Sequence, residues 1–303
     1  MRLFFWFSIL FLGQLGAQET LFEGHIYDAK TKAPIPYVNL SFLNTLKGTS
    51  TDENGHFYLD VPTAYLEKQV HLSSLGYNDT IVTAAKLHRA KRFKMAPESF
   101  ALEEVVVSKK LSKAIFLNPI SSYSLSSGFA SSDTPWVLAL YFPNIGQQEK
   151  VLDVVTIFQR PNVAFKRDSA SFRLRVYDVE PGTKKPGRDI LRESMVLRTD
   201  KNQEYISVDL SDLQLKMPKG GVFIGLEWLF VPSNWYTNTY EHPISKQKVL
   251  EDRFAPTFGA VFTKNQNFRA MVYGMGEWTD FVTKSKDYAE NLIPAISLKV
   301  LRN

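Results

Sequence analysis

Residues 48–62 read Gly-Thr-Ser-Thr-Asp-Glu-Asn-Gly-His-Phe-Tyr-Leu-Asp-Val-Pro. Phe57, Leu59 and Val61 alternate with His56, Tyr58 and Asp60, the period of a strand with one buried face. Just before them stand Asp52, Asn54 and Gly55, the residues expected to make a structural turn. A short carboxylate accepts bonds from nearby turn N–H groups, and Asn-Gly takes positive φ at little steric cost. Outward from this hairpin, Val38, Leu40 and Phe42 alternate on one side, and Val70 and Leu72 on the other. Further breaks carry turn chemistry at 28–31 (Asp-Ala-Lys-Thr) and 34–36 (Pro-Ile-Pro). Short strands separated by turns, with no helical period between them, predict a β-sandwich over residues 18–97.

The whole chain has 303 residues, 44% of them hydrophobic and 22% charged, and no cysteine. That supplies a core and excludes a disordered chain, a disulfide-stapled fold and thiolate chemistry. Residues 1–17 differ from the rest: Arg2, an apolar run over 3–12, then Gly-Gln-Leu-Gly-Ala. This is the layout of a signal peptide, with cleavage expected after Ala17, and the run is too short to cross a bilayer. The expected mature chain is exported, has no transmembrane segment, and sits in the periplasm or at the outer membrane or cell surface. Removing Arg2 takes the formal charge from +5 to +4. The densest basic stretch, 86–94 (Lys-Leu-His-Arg-Ala-Lys-Arg-Phe-Lys), reads as solvated strand and linker rather than an anion-binding patch, and no nucleic acid is expected.

Residues 98–128 read as a linker with one short strand at 104–108. From 129 to 303 a second strand-rich unit follows. Its clearest signals are 136–142, 151–158, 172–177, 195–197, 205–210, 222–230, 270–273 and 296–301. In 172–177, Phe172, Leu174 and Val176 alternate with Arg173 and Arg175. The fold class read from the chain is all-β: a transthyretin-like, Ig-like sandwich followed by a larger jelly-roll-like β-sandwich.

The first unit resembles the carboxypeptidase-regulatory-like domain. The resemblance rests on Gly24, Ile26, Asp28, Thr31, Pro34 and Ile35, then Gly48, Thr49, Thr51, Asp52, Gly55 and Phe57, and finally Ser73, Leu75, Gly76 and Tyr77. It implies a non-catalytic module, as found beside carboxypeptidases or at the N-terminus of TonB-dependent receptors of Bacteroidetes. Residues 102–108 (Leu-Glu-Glu-Val-Val-Val-Ser) resemble the segment that follows the module in those receptors. What comes after does not resemble their plug and barrel. The second unit resembles C-terminal β-domains of similar exported proteins, which adds architecture and no chemistry.

No H-E-x-x-H, G-x-S-x-G or P-loop occurs, and the five histidines are scattered, so no catalytic residue, metal site or cofactor is expected. His25, His56 and His71 lie on or beside separate expected strands and are read as surface histidines. Glu227, inside the apolar run 222–230, either points outward or needs a buried partner, for which Arg173 and Arg175 stand ready. The ligand-binding candidates are Asn234, Trp235, Tyr236, Asn238 and Tyr240, in a segment read as a loop rich in rings, amides and hydroxyls. Such mixtures suit sugars and peptides; the competing reading folds these rings back over the sandwich edge. The leading expectation is a non-enzymatic cell-envelope binding or assembly module whose surface loops meet an envelope protein or glycan. The alternatives are a glycan-binding protein using 234–242 and a hydrolase with an unrecognised site near Glu227.

Overall fold

The computed structural model describes residues 18–98, 113–191, 193–242, 244–282 and 290–302. The expected signal peptide (1–17) and the expected strand at 104–108 lie outside the described residues.

The protein is all-β, an Ig-like N-terminal sandwich followed by a larger one. In the first, Glu19–Asp28 pairs antiparallel with His56–Pro62 and parallel with Arg92–Met95. The facing sheet runs in the order Gly48–Ser50, Asn39–Phe42, Gln69–Ser73, Thr80–Thr83. Phe22, Ile26, Phe57 and Val61 from one sheet meet Leu40, Phe42, Val70 and Leu72 from the other, all fully buried. Burying each such side chain contributes roughly 1.5–3 kcal/mol. Residues 86–94 are not a plain strand and linker. Ala84–Ala90 is a short helix that buries Ala84 and Leu87, Lys91 ends it in the left-handed region (φ 53°), and Arg92–Met95 then joins the first sheet.

The second sandwich is built on a seven-stranded sheet. Its path runs Pro186–Asp189, Ser169–Val179, Val222–Trp228, Val137–Phe142, Ala270–Gly274, Glu277–Asp280, and Met195–Asp200 also pairs with Ser169–Val179. Two four-stranded sheets complete it. One orders Tyr205–Asp209, Lys150–Phe158, Ile296–Arg302 and Lys113–Leu117; the other gathers Trp235–Glu241, Lys248–Thr263, Asn291–Pro294 and Ser127–Ser131. Leu138, Leu140, Leu174, Val176, Ile224, Leu226 and Trp228 point into the core from the large sheet, against Leu152, Val155, Phe258, Leu298 and Val300.

The second unit thus begins before residue 129. Lys113–Leu117 and Ser127–Ser131 are strands of its sheets, and Ile115, Leu117 and Phe129 pack on its core. From residue 113 onward, the stretch read as linker is part of the sandwich.

One strand stands apart. All seven residues of Val222–Trp228 are buried, although alternation should wet every second one. The reason is a second cover. Asn39, Ser41 and His71, on the outer face of the N-terminal sheet, are buried too. They meet the outer face of the seven-stranded sheet, so the two sandwiches share a seam.

Candidate functional site

The seam is assembled by strand register. Arg173 lies directly opposite Glu227, and Arg175 opposite Gly225. A side chain at Gly225 would come within 2.9 Å of the Tyr177 ring and 3.1 Å of Arg175 Cβ, so glycine is what lets these groups crowd onto one face. Arg173 Nη1 donates to Glu227 Oε1 at 3.0 Å, and Arg175 Nη1 to Oε2 at 3.1 Å. Arg175 Nε lies 2.6 Å from Asp189 Oδ2, while Asp189 Oδ1 accepts from the Leu191 N–H at 2.9 Å. Two guanidinium and two carboxylate groups therefore balance.

The N-terminal unit completes the network. Asn39 Nδ2 donates to Glu227 Oε1, and Ser50 Oγ donates to Asn39 Oδ1 at 2.6 Å. Ser50 Oγ also accepts from the Phe230 N–H at 2.9 Å, and Arg173 Nη2 donates to the Tyr37 carbonyl. Side chains of Arg173 and Glu227 are 0% and 1% exposed, which makes this pair an interior one. Burial pushes Arg173 down from its ordinary value and Asp189 up from its own. The neighbouring opposite charges work against both shifts.

Two cavities open along the seam, on either side of this cluster. The first, about 330 Å³, is lined by Arg175, Asp189, Tyr177, Tyr273, Trp278 and His71, among others. His71 Nε2 lies 3.1 Å from Asp79 Oδ2, and Tyr273 Oη lies 3.1 Å from His71 Nδ1, a contact made across the seam. The Trp278 ring stands 5.3 Å from both Tyr177 and Tyr273. The second cavity, about 440 Å³, is lined by Tyr58, Asp60, Lys47, Arg167, Trp235 and Asp252, among others.

Residues 22–107 match the family model described as the CarboxypepD_reg-like domain. The N-terminal unit is a CarboxypepD_reg-like domain. No curated protein matches the chain. Among solved structures, that of the infectious bursal disease virus Gx strain is similar at 9% identity and a TM-score of 0.17. The match covers 94% of this chain and 64% of the viral one, and at that TM-score it carries no argument.

Within the CarboxypepD_reg-like domain, the turn residues act together. Asp52 Oδ1 accepts from the N–H of Asn54 at 2.8 Å and of His56 at 2.9 Å, and Gly55 adopts φ 72°. The segment carrying the ligand-binding candidates is a strand, not a loop. Trp235–Glu241 forms a hairpin with Lys248–Phe254, with its polar alternation mistaken for a connection. Its side chains therefore divide between two faces. Asn234 is fully buried and holds the backbone of Ser171 and Leu229. Tyr236 is buried against Phe165, and its hydroxyl accepts from Asn162 Nδ2 at 2.7 Å. Trp235, 44% exposed, lines the second cavity; Tyr240 is exposed further along the opposite face from Trp235, and Asn238 is half-buried.

His25 and His56 sit directly across from each other, ring centres 4.7 Å apart, while His71 lies in the seam. Among the described residues, no group of three or more His, Cys, Asp or Glu converges as metal ligands. No described helix is long and apolar enough to cross a membrane. Sequence reasoning missed Asn39, Asp189, Tyr177, Trp278 and the His71–Asp79 pair as seam residues. The only signal for Asn39, Asp189 and His71 was polarity on a strand, which reads as solvent exposure unless the cover is known, while Tyr177 and Trp278 read as ordinary strand aromatics.

Proposed function

We propose that the protein is an exported, non-enzymatic binding or assembly module of the cell envelope, in which the CarboxypepD_reg-like domain and the second sandwich act as one rigid body. The observation that carries this reading is the seam. A buried, charge-balanced network that closes only when both units meet fixes their relative orientation, and with it the surfaces they share. Support for export comes from the sequence of residues 1–17. The non-enzymatic part draws on Glu227, the foremost acidic candidate, having both oxygens engaged by arginines. Photocrosslinking from position 235 in the native host, with Tyr123 (99% exposed) as a control position, tests the reading. A discrete envelope adduct from 235 that is absent from 123 is expected. Uniform labelling, or no adduct in any envelope fraction, rejects it.

A second reading, glycan binding at the Trp235 cavity, is favoured by one arrangement. Trp235 and Tyr58 expose rings into a cleft that also holds Asp60, Asp252 and Arg167. Rings cover sugar C–H faces while carboxylates take hydroxyl donors. A glycan array with the full chain and its Trp235→Ala variant decides it, since loss of a good anchor costs about 1–3 kcal/mol.

A further inference from the structure

From the first seam cavity we infer a second and separate binding site, for a single neutral sugar ring, between the CarboxypepD_reg-like domain and the outer face of the seven-stranded sheet. Its buried charges are already spoken for, while Arg188 and Glu98, both exposed, add one charge of each sign to its lining. Arg175 is shared by Glu227 and Asp189, Glu227 is also held by Arg173, and Asp79 by His71. A ligand carboxylate finds no free buried cation there, and the face of the Tyr177 ring is already taken by the Arg175 guanidinium, 5.4 Å from its centre. That ring face is therefore closed to an ammonium group.

What remains open is neutral hydrogen-bonding capacity. Tyr177 is 6% exposed and lines the cavity, yet its hydroxyl has no hydrogen-bond partner among the described residues. Trp278 Nε1 and, from the N-terminal unit, Ser74 Oγ line the same cavity and also lack partners among the described residues. These groups line the cavity without such a partner, so each is open to a ligand oxygen. Tyr177, Tyr273 and Trp278 meet at 5.3 Å spacings with steeply tilted rings, giving an apolar corner beside these donors. Rings next to neutral donors, with the buried arginine and carboxylate charge paired, match a pyranose, whose C–H faces and hydroxyls alternate around one small body. At about 330 Å³ the space falls at the low end for ligand pockets and fits one ring rather than a chain. The ligand touches both units, so its binding also strengthens the seam.

Calorimetry on the full chain tests this, with the methyl β-glycosides of glucose, galactose and N-acetylglucosamine as probes and gluconate and glucosamine as charged comparators. At least one methyl glycoside is expected to bind with a Kd of about 1 mM, more tightly than either charged analogue. Tyr177→Phe keeps the ring and removes only the hydroxyl, and should weaken that binding about two- to tenfold. Trp235→Ala, at the other cavity, should leave it unchanged, which separates this site from the glycan reading above. The inference fails if no methyl glycoside binds at about 20 mM, if a charged analogue binds most tightly, or if Tyr177→Phe has no effect while Trp235→Ala abolishes binding.

Discussion

At the central strand Val222–Trp228 the two faces of the seven-stranded sheet are both buried, and they are built from opposite chemistry. Toward the interior of its own sandwich the strand Val222–Trp228 presents Ile224, Leu226 and Trp228; toward the CarboxypepD_reg-like domain it presents Phe223, Gly225 and Glu227. The inner face is held by apolar area and close packing, the outer one by paired charge, hydrogen bonds and a few rings. The inner face can be repacked by any apolar set of the right volume. The outer face works only when every polar member finds its partner, and some of those partners come from the other unit: Asn39 for Glu227, the Tyr37 carbonyl for Arg173 and His71 for Tyr273. The seam is therefore specific where the core is merely adhesive.

The comparison breaks most severely at Glu227. Glu227→Gln leaves Arg173 and Arg175 without their shared charge and should lose about 3–5 kcal/mol in urea unfolding. Replacing Arg173, Arg175 and Glu227 together by apolar residues should recover much of that loss. If the triple variant is as unstable as the single one, the loss at Glu227 comes from something other than charge pairing. On the inner face, Leu226→Ala should cost about 3 kcal/mol, and apolar replacements of similar volume there should be tolerated where they are not at Glu227. Next comes Asn39→Ala, which removes the domain's donor to Glu227 and should cost about 1–2 kcal/mol. In the full chain this loss should shrink if Glu227 has already been replaced, leaving what the Ser50–Asn39 bond contributes.

The smallest effect at neutral pH, none at all, becomes visible only in alkali. Burial raises Tyr77 and Tyr273 from 10.0 to about 12. The unfolded chain gives up those protons first, so stability is whole below pH 10 and declines as pH climbs from there toward about 12. Melting curves across this range should fall, and Tyr273→Phe should flatten the fall. An identical slope in that variant would mean that Tyr273 is no more buried folded than unfolded.

Much of the fold was legible as period two. Leu40 and Phe42, Phe57 and Val61, and Phe172, Leu174 and Val176 alternate into cores as their spacing requires. The strands that escaped notice break that pattern for local reasons. Lys248–Thr263 carries charges through its first half and Pro256 in the middle, where its register to Ser127–Ser131 shifts between Phe254 and Phe258. Such a proline is accommodated at an irregularity and reads as a stop. Trp235–Glu241 is polar on both faces because it extends into an exposed hairpin. Of the seam, the pairing of Glu227 with Arg173 and Arg175 was foreseeable, since a carboxylate in an apolar strand must find a cation. The contributions of Asn39, Ser50 and His71 were not, because polar alternation looks the same whether water or another domain lies above it.

The bond from Asn39 to Glu227 joins residues 188 positions apart. During synthesis the CarboxypepD_reg-like domain is complete long before its counterpart strand exists. Because the surface it will eventually bury is mostly amide, hydroxyl and imidazole, with Leu75 its hydrocarbon exception, that surface can rest in water meanwhile without becoming strongly adhesive. A greasy joint would have offered every neighbouring nascent chain a place to stick, whereas this one stays inert until its matching charges are delivered.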